Sequence, residues 1–255
     1  MIIECVGRSD VGRKRDHNED AYVVNVEQGL FAVADGMGGH AAGEVASQIA
    51  IKTISDFVIA TREDANVTWP FDYDAHLSAN ANRLRTAIRL ANQKICETIQ
   101  KKDDLKDMGT TIVGAVIHHD MTVTVAHVGD SRAYLARKGS LRQLTSDHSW
   151  VNEQVKLGFL NQGDAVRHPF RNVVTRALGS RGSVAVDLLE ESLEPGDRIL
   201  LCSDGLNSMV DDDGILEALE SGGDDLEASC LALIAAANRN GGDDNITAVV
   251  ARVRP

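Results

Sequence analysis

Short apolar runs rich in Val and Ile alternate along this chain with longer stretches whose apolar residues recur at helical spacing. Residues 2–7, 21–26 and 30–34 read as strands, being short, β-branched and bounded by turn residues. A helix is predicted from about 42 to 58, with Val45, Ile49, Ile54 and Phe57 on one face. Residues 61–74 read as a loop that docks its aromatics, Trp69 and Phe71. A second helix is predicted over 78–102, where Leu84, Ile88, Ala91, Ile95 and Ile99 form an apolar stripe. Strands follow at 110–117, 122–128 and 132–137, with turns at Asp120 and Lys138-Gly139. The segment 145–182 is polar and weakly periodic, with one helix near 151–157. Beyond it the pattern predicts strands 184–189 and 198–202, helices 211–220 and 226–237, and a last strand 246–253. Strand groups bracketed by helix pairs, with several hairpin connections, point to an α+β fold of mainly antiparallel sheets, not a doubly wound parallel sheet. Nothing in composition divides the chain, so residues 1–255 are expected to form one domain.

Bulk properties narrow the partners. The chain has 255 residues and a formal charge of −12. Nucleic acid and anionic membrane both select basic surfaces, so neither is expected as a partner. The four cysteines show no paired spacing and read as buried thiols in a reducing compartment. No signal peptide is apparent, and the longest apolar run, 230–237, is far short of the roughly 20 residues a membrane span needs. A cytoplasmic monomer is the expectation.

Against this background four aspartates stand out. Asp35, Asp130, Asp204 and Asp244 each read as closing a short apolar run and handing it straight into a glycine-rich or polar turn. A carboxylate at a strand end sits on rigid scaffold while its head reaches a cleft. Several such ends on one side gather negative charge that needs cations, and oxygen donors point to Mg²⁺ or Mn²⁺. That is the requirement of two-metal phosphoester chemistry. Taken singly, each Asp-Gly pair reads as an ordinary turn. Taken together, with Glu19-Asp20 following the basic run Arg13-Lys14-Arg15, they form a constellation.

The ordered set Arg15-x-x-Asn18-Glu19-Asp20, Asp35-Gly-Met-Gly-Gly-His40, Gly109-Thr-Thr111, Gly129-Asp-Ser-Arg132, Ser203-Asp-Gly205 and Asp244-Asn245 resembles the metal-dependent serine/threonine protein phosphatases (PPM, type 2C), in particular their stand-alone bacterial members. The resemblance implies a four-layer α-β-β-α sandwich with a metal centre at one end. It implies two to three Mn²⁺ or Mg²⁺ ions, and hydrolysis of phosphoserine and phosphothreonine by a hydroxide bridging two of them. Asp35 would bridge the pair, with the Gly36 carbonyl on one ion and Asp204 and Asp244 on the other. Glu19 and Asp20 would act partly through water. Asp130 would join Asp204 at a third ion, and Arg15 would hold the substrate phosphate, for which a guanidinium offers two parallel donors. The partners implied are phosphorylated proteins, opposed by a bacterial serine/threonine kinase.

The chain departs from the family pattern at two places. Met37 stands where many eukaryotic members carry a histidine, which leaves His40 either as the proton donor to the leaving alkoxide or as a plain helix-start residue. Ser208 stands where many relatives have an aspartate, so a third ion would be held loosely. The segment 145–182 corresponds to the family's variable flap, and His148, Arg167, His168 and Arg171 are its candidates for phosphopeptide selection. Two other functions compete: a catalytically silent phosphoprotein-binding module, disfavoured by the retained Asp35, Asp204 and Asp244, and a hydrolase of small phosphate esters.

Overall fold

A computed structural model describes residues 2–38, 42–64, 67–180 and 182–254. Two five-stranded antiparallel sheets stack face to face. One has the order β1 (Ile2–Asp10), β12 (Ile246–Arg254), β11 (Arg198–Cys202), β8 (Arg132–Arg137), β9 (Ser140–Gln143). The other has the order β10 (Asp187–Ser192), β7 (Thr122–Val128), β6 (Ile112–Ile117), β3 (Leu30–Ala34), β2 (Ala21–Asn25). A two-stranded ribbon joins β4 (Gly36–Met37) to β5 (Gly109–Thr110).

Side-chain alternation with period two builds the layers. In β3, Phe31 and Val33 face the other sheet while Leu30, Ala32 and Ala34 face helices. In β11, Ile199 and Leu201 point inward, and Leu200 and Cys202 point out to a second helix pair. The outer layers are α1 (Ala42–Glu63) with α2 (Ala79–Lys101) on one side, and α6 (Asp212–Ser221) with α7 (Leu226–Arg239) on the other. The result is the α-β-β-α sandwich implied by the motifs. No helix among the described residues is long and apolar enough to cross a membrane.

The elements differ from the sequence pattern in a few places. Helix α1 runs on to Glu63, because Arg62 reaches the Gln28 carbonyl and Arg83 reaches Thr61, so tertiary bonds hold a turn that periodicity does not mark. Trp69 docks as expected, edge-on to Phe57 at 5.7 Å. Strand β9 escapes the pattern since it is short, polar and half exposed, and it forms only by pairing with β8. Segment 145–182 carries two short helices, α3 (Trp150–Lys156) and α4 (Gln162–Arg167), where one was expected. The strand read at 184–189 begins later, at Asp187, because Val184 and Val186 pack against the α1–α2 core before pairing with β7 starts. Asp244 precedes β12 instead of closing a strand. Since β12 is antiparallel to β11, its start lies at the same end of the sandwich as the end of β11.

Candidate metal centre

At that end, β3, β7 and β11 finish while β2 and β12 begin. Asp35 leaves β3 and is pinned through its backbone. Its carbonyl accepts the Thr111 N–H (2.9 Å) and the Thr110 hydroxyl (2.8 Å), and its own N–H donates to Thr111 Oγ1 (3.2 Å). Thr111 Oγ1 also meets Ser131 Oγ at 2.6 Å, tying the Asp35 turn to the residue after Asp130. Asp20 opens toward β2 and receives two hydroxyls on Oδ2, from Thr247 (2.6 Å) and Ser203 (2.8 Å). Asp204 begins the short helix α5 (Asp204–Asn207). Next to it a side chain at Gly205 would stand 2.0 Å from the Asn245 carbonyl oxygen, so only glycine lets the Asp204 turn lie against Asp244-Asn245.

Asn245 organises the basic loop. Its amide donates to the carbonyls of Val11 and His17, both at 2.9 Å, and its Oδ1 accepts the Glu19 N–H at 2.8 Å. Arg15, carried by that loop, is half exposed and pairs with Asp244 at 2.7 Å. A cleft of about 510 Å³ is lined by Arg15, Glu19, Asp35, Gly36, Asp130, Asp204 and Asp244 among others. Asp20 is not part of that lining, but its charge is close enough to help raise Asp35. The structure thus brings together every candidate except His40, which lies outside the described residues.

The electrostatics follow from the crowding. Burial pushes Asp20 up to about 7, with the charges of Asp204 and Asp244 adding and the two hydroxyls opposing. Burial, then the charges of Asp204 and Asp147, push Asp130 up to about 8. Asp35 is raised well above the ordinary carboxylate range by burial and then by Asp20, Asp204, Asp130 and Asp244. Asp204 rises for burial and Asp244, and Glu19 for burial against the pull of Arg15.

These residues fit hard divalent cations. The donors at the cleft are carboxylate oxygens, and Asp20 Oδ1 is buried with no hydrogen-bond partner among the described residues. A buried carboxylate oxygen left so is costly unless a positive charge faces it. Among the described residues, no three of the cleft carboxylates bring donor oxygens within 4.8 Å of one another. Arg15 holds Asp244 by an ion pair at 2.7 Å.

Ser203, Thr111 and Asn245 shape the site although the sequence gives them no catalytic signal beyond lying inside the motifs, and Thr247 does so from outside them. Ser208 lines a neighbouring pocket of about 300 Å³ with Asp130, Asp204 and Arg171. The flap candidates separate: Arg171 faces that pocket, and His168 packs on Trp150 at 4.9 Å. His148 is buried at the flap root and offers no surface to a peptide.

Comparison with known proteins agrees with this geometry. The chain is 39% identical over 251 residues to the serine/threonine phosphatase Stp of Listeria monocytogenes, covering 95% of this chain and 93% of that protein. It is 38% identical over 253 residues to the serine/threonine protein phosphatase PstP of Mycobacterium tuberculosis, covering 99% of this chain but 45% of that longer protein. The crystal structure of the M. tuberculosis phosphatase superposes with a TM-score of 0.87 at 37% identity, covering both chains fully. A PstP catalytic domain solved in complex with two manganese ions gives 0.83 at 36% identity, covering 100% of this chain and 99% of that one. The sequence profile described as protein phosphatase 2C matches residues 7–235. With its sandwich, its acidic cleft and this match in hand, the chain belongs to the protein phosphatase 2C family.

Proposed function

We propose that this chain removes phosphate from phosphoserine and phosphothreonine in proteins, using the acidic cleft as its metal centre. It is a metal-dependent serine/threonine protein phosphatase. The observation that carries the site assignment is the convergence of Asp20, Asp35, Asp130, Asp204 and Asp244 beside Arg15, with one Asp20 oxygen buried and unpartnered. Asp35, Gly36, Asp204 and Asp244 would hold two ions, Glu19 and Asp20 would orient water at them, and Asp130 with Asp204 would hold a third. When bound, such ions supply an acidified water nucleophile and neutralise phosphate charge. Arg15 swings from Asp244 to clamp the phosphate oxygens. Its half-exposed side chain and single carboxylate contact leave it free to do so.

The whole chain acts as one phosphatase domain with a variable segment at 145–182. It is a cytoplasmic signalling enzyme and a monomer, and it reverses a bacterial serine/threonine kinase. Burial pushes the thiols of Cys202 and Cys230 up to about 12, so neither is a reactive thiolate near neutral pH. Arg171, beside the pocket that adjoins Asp130, is the flap residue best placed to read the peptide.

The test is Mn²⁺-dependent phosphate release from phosphothreonine against phosphotyrosine peptides, with Asp35→Asn as the control. Turnover should fall roughly a thousandfold in the variant, about 4 kcal/mol of barrier. Its melting temperature in chelator should rise, because a repelling carboxylate is gone. Near wild-type turnover in Asp35→Asn overturns the site. Equal rates on a sugar phosphate move the substrate class to small esters.

A further inference from the structure

A second buried polar knot sits where the flap joins the sandwich. His127, His148 and Asp187 bring donor atoms within 4.8 Å of one another. They do not make an ion site. The two imidazoles are stacked at 4.5 Å with planes 17° apart, so their in-plane lone pairs run side by side instead of converging. Arg176 Nη1, 2.6 Å from Asp187 Oδ1 and 3.1 Å from His148 Nε2, already supplies the positive charge.

What the knot does hold is Gly129. The Gly129 N–H donates to His148 Nδ1 at 3.0 Å, and the His148 N–H donates to the Gly129 carbonyl at 3.0 Å. Residue 148 therefore clasps the turn by side chain and backbone together, and the next residue in that turn is Asp130. His148 is 4% exposed, and burial holds its imidazole below the ordinary histidine range, so it is neutral. Because Nδ1 accepts from Gly129, the proton of the neutral ring is on Nε2, which faces Asp187 Oδ2 at 3.3 Å, and Arg176 Nη1 beside it donates to Asp187 Oδ1 and not to the ring. The carboxylate thus fixes the tautomer and the ring.

The same residue anchors both roots of the flap. The Thr175 N–H donates to the His148 carbonyl at 2.8 Å, the Trp150 N–H to the Val173 carbonyl at 2.8 Å, and Ser149 bridges Val174. We propose that His148 is a positioning residue: it fixes the Asp130 turn for cation binding and makes that turn depend on how the flap is seated. The inference rests on the reading of Asp130 as a cation-binding carboxylate. A ring that orients a ligand's backbone acts as outer-shell partners of metal ligands do.

The test is a Mn²⁺ titration of wild type, His148→Leu, His148→Asn and Asp187→Ala, read both as the rise in melting temperature with Mn²⁺ in the absence of substrate and as phosphate release from a phosphothreonine peptide. Leucine fills the space without an acceptor, whereas the asparagine carbonyl reaches the place of Nδ1. The half-saturating Mn²⁺ concentration should rise about tenfold in His148→Leu, with turnover at saturating Mn²⁺ changed by less than about threefold, and should return toward wild type in His148→Asn. Asp187 is half exposed on an edge strand, so Asp187→Ala folds even if His148→Leu does not, and it should shift half-saturation in the same direction. Unchanged half-saturation in both overturns the inference, as does an equal shift in the leucine and asparagine variants. A wild type that needs no divalent ion overturns the metal-centre reading, and this inference with it.

Discussion

Asp20 shows how much one side chain can carry. Two hydroxyls hold one of its oxygens and no described residue hydrogen-bonds the other, so its geometry is set while one oxygen stays available. Replacing Thr247 with the isosteric valine removes a donor to the charged form and should push Asp20 up from about 7. At pH 7 the variant should need roughly tenfold more Mn²⁺ for half-maximal activity, read from a metal titration. An unchanged titration would show that the hydroxyl is idle. Residues such as Asp35, Asp130 and Asp204 were legible because a carboxylate at the end of a buried strand contradicts that strand's chemistry. Thr247 and Thr111 were not. Thr247 lies in β12 opposite Ser9 of β1, and Thr111 lies between β5 and β6, so only the assembled sheets decide what either hydroxyl meets. Arg15 was legible by its place in the motif, but its ion pair with Asp244 depends on Asn245 folding the loop back.

Among the elements, long amphipathic pieces were clear from their pattern and short polar ones were not. Helix α2 begins where Ser78 accepts the Ala81 N–H at 3.0 Å, a start that the sequence marks with serine ahead of the apolar stripe. Ser78→Ala should cost about 1 kcal/mol and lower the melting temperature by roughly 2–4 °C, while the Mn²⁺ titration stays as in wild type. A shift in metal dependence would mean that α2 communicates with the cleft. Strand β9 and helix α4 lay below the reach of periodicity because neither buries a full apolar face. They exist by virtue of neighbours distant in sequence. The shifted start of β10 has the same cause, since Val184 and Val186 are apolar yet serve the helix layer and not the sheet.

For the molecule as a whole, the acidic cleft links stability to pH. The unfolded chain has ordinary carboxylates, near 3.8 for aspartate, whereas folded Asp20 and Asp130 hold protons up to about 7 and about 8. Between those values the native state binds more protons, so stability must fall as pH rises through them. In chelator, the melting temperature should drop from about pH 5.5 to about pH 8.5. Mn²⁺ should reverse the trend, since cations take the place of the lost protons and bind better as the carboxylates ionise. At a concentration of about 100 times its dissociation constant, an ion contributes about 2.7 kcal/mol, or roughly 5–10 °C for a chain this size. A melting temperature indifferent to pH in chelator would contradict the buried cluster.

Strand β1 has β12 as its sheet neighbour, paired along its whole length from Ile2↔Arg254 to Asp10↔Ile246. During synthesis the first strand must wait for the last, and Asp20 waits with it for the hydroxyls of Ser203 and Thr247. Contacts so remote in sequence fold slowly. A nascent chain lacking β12 therefore carries most of the cleft carboxylates while the sheet that aligns them is still unformed.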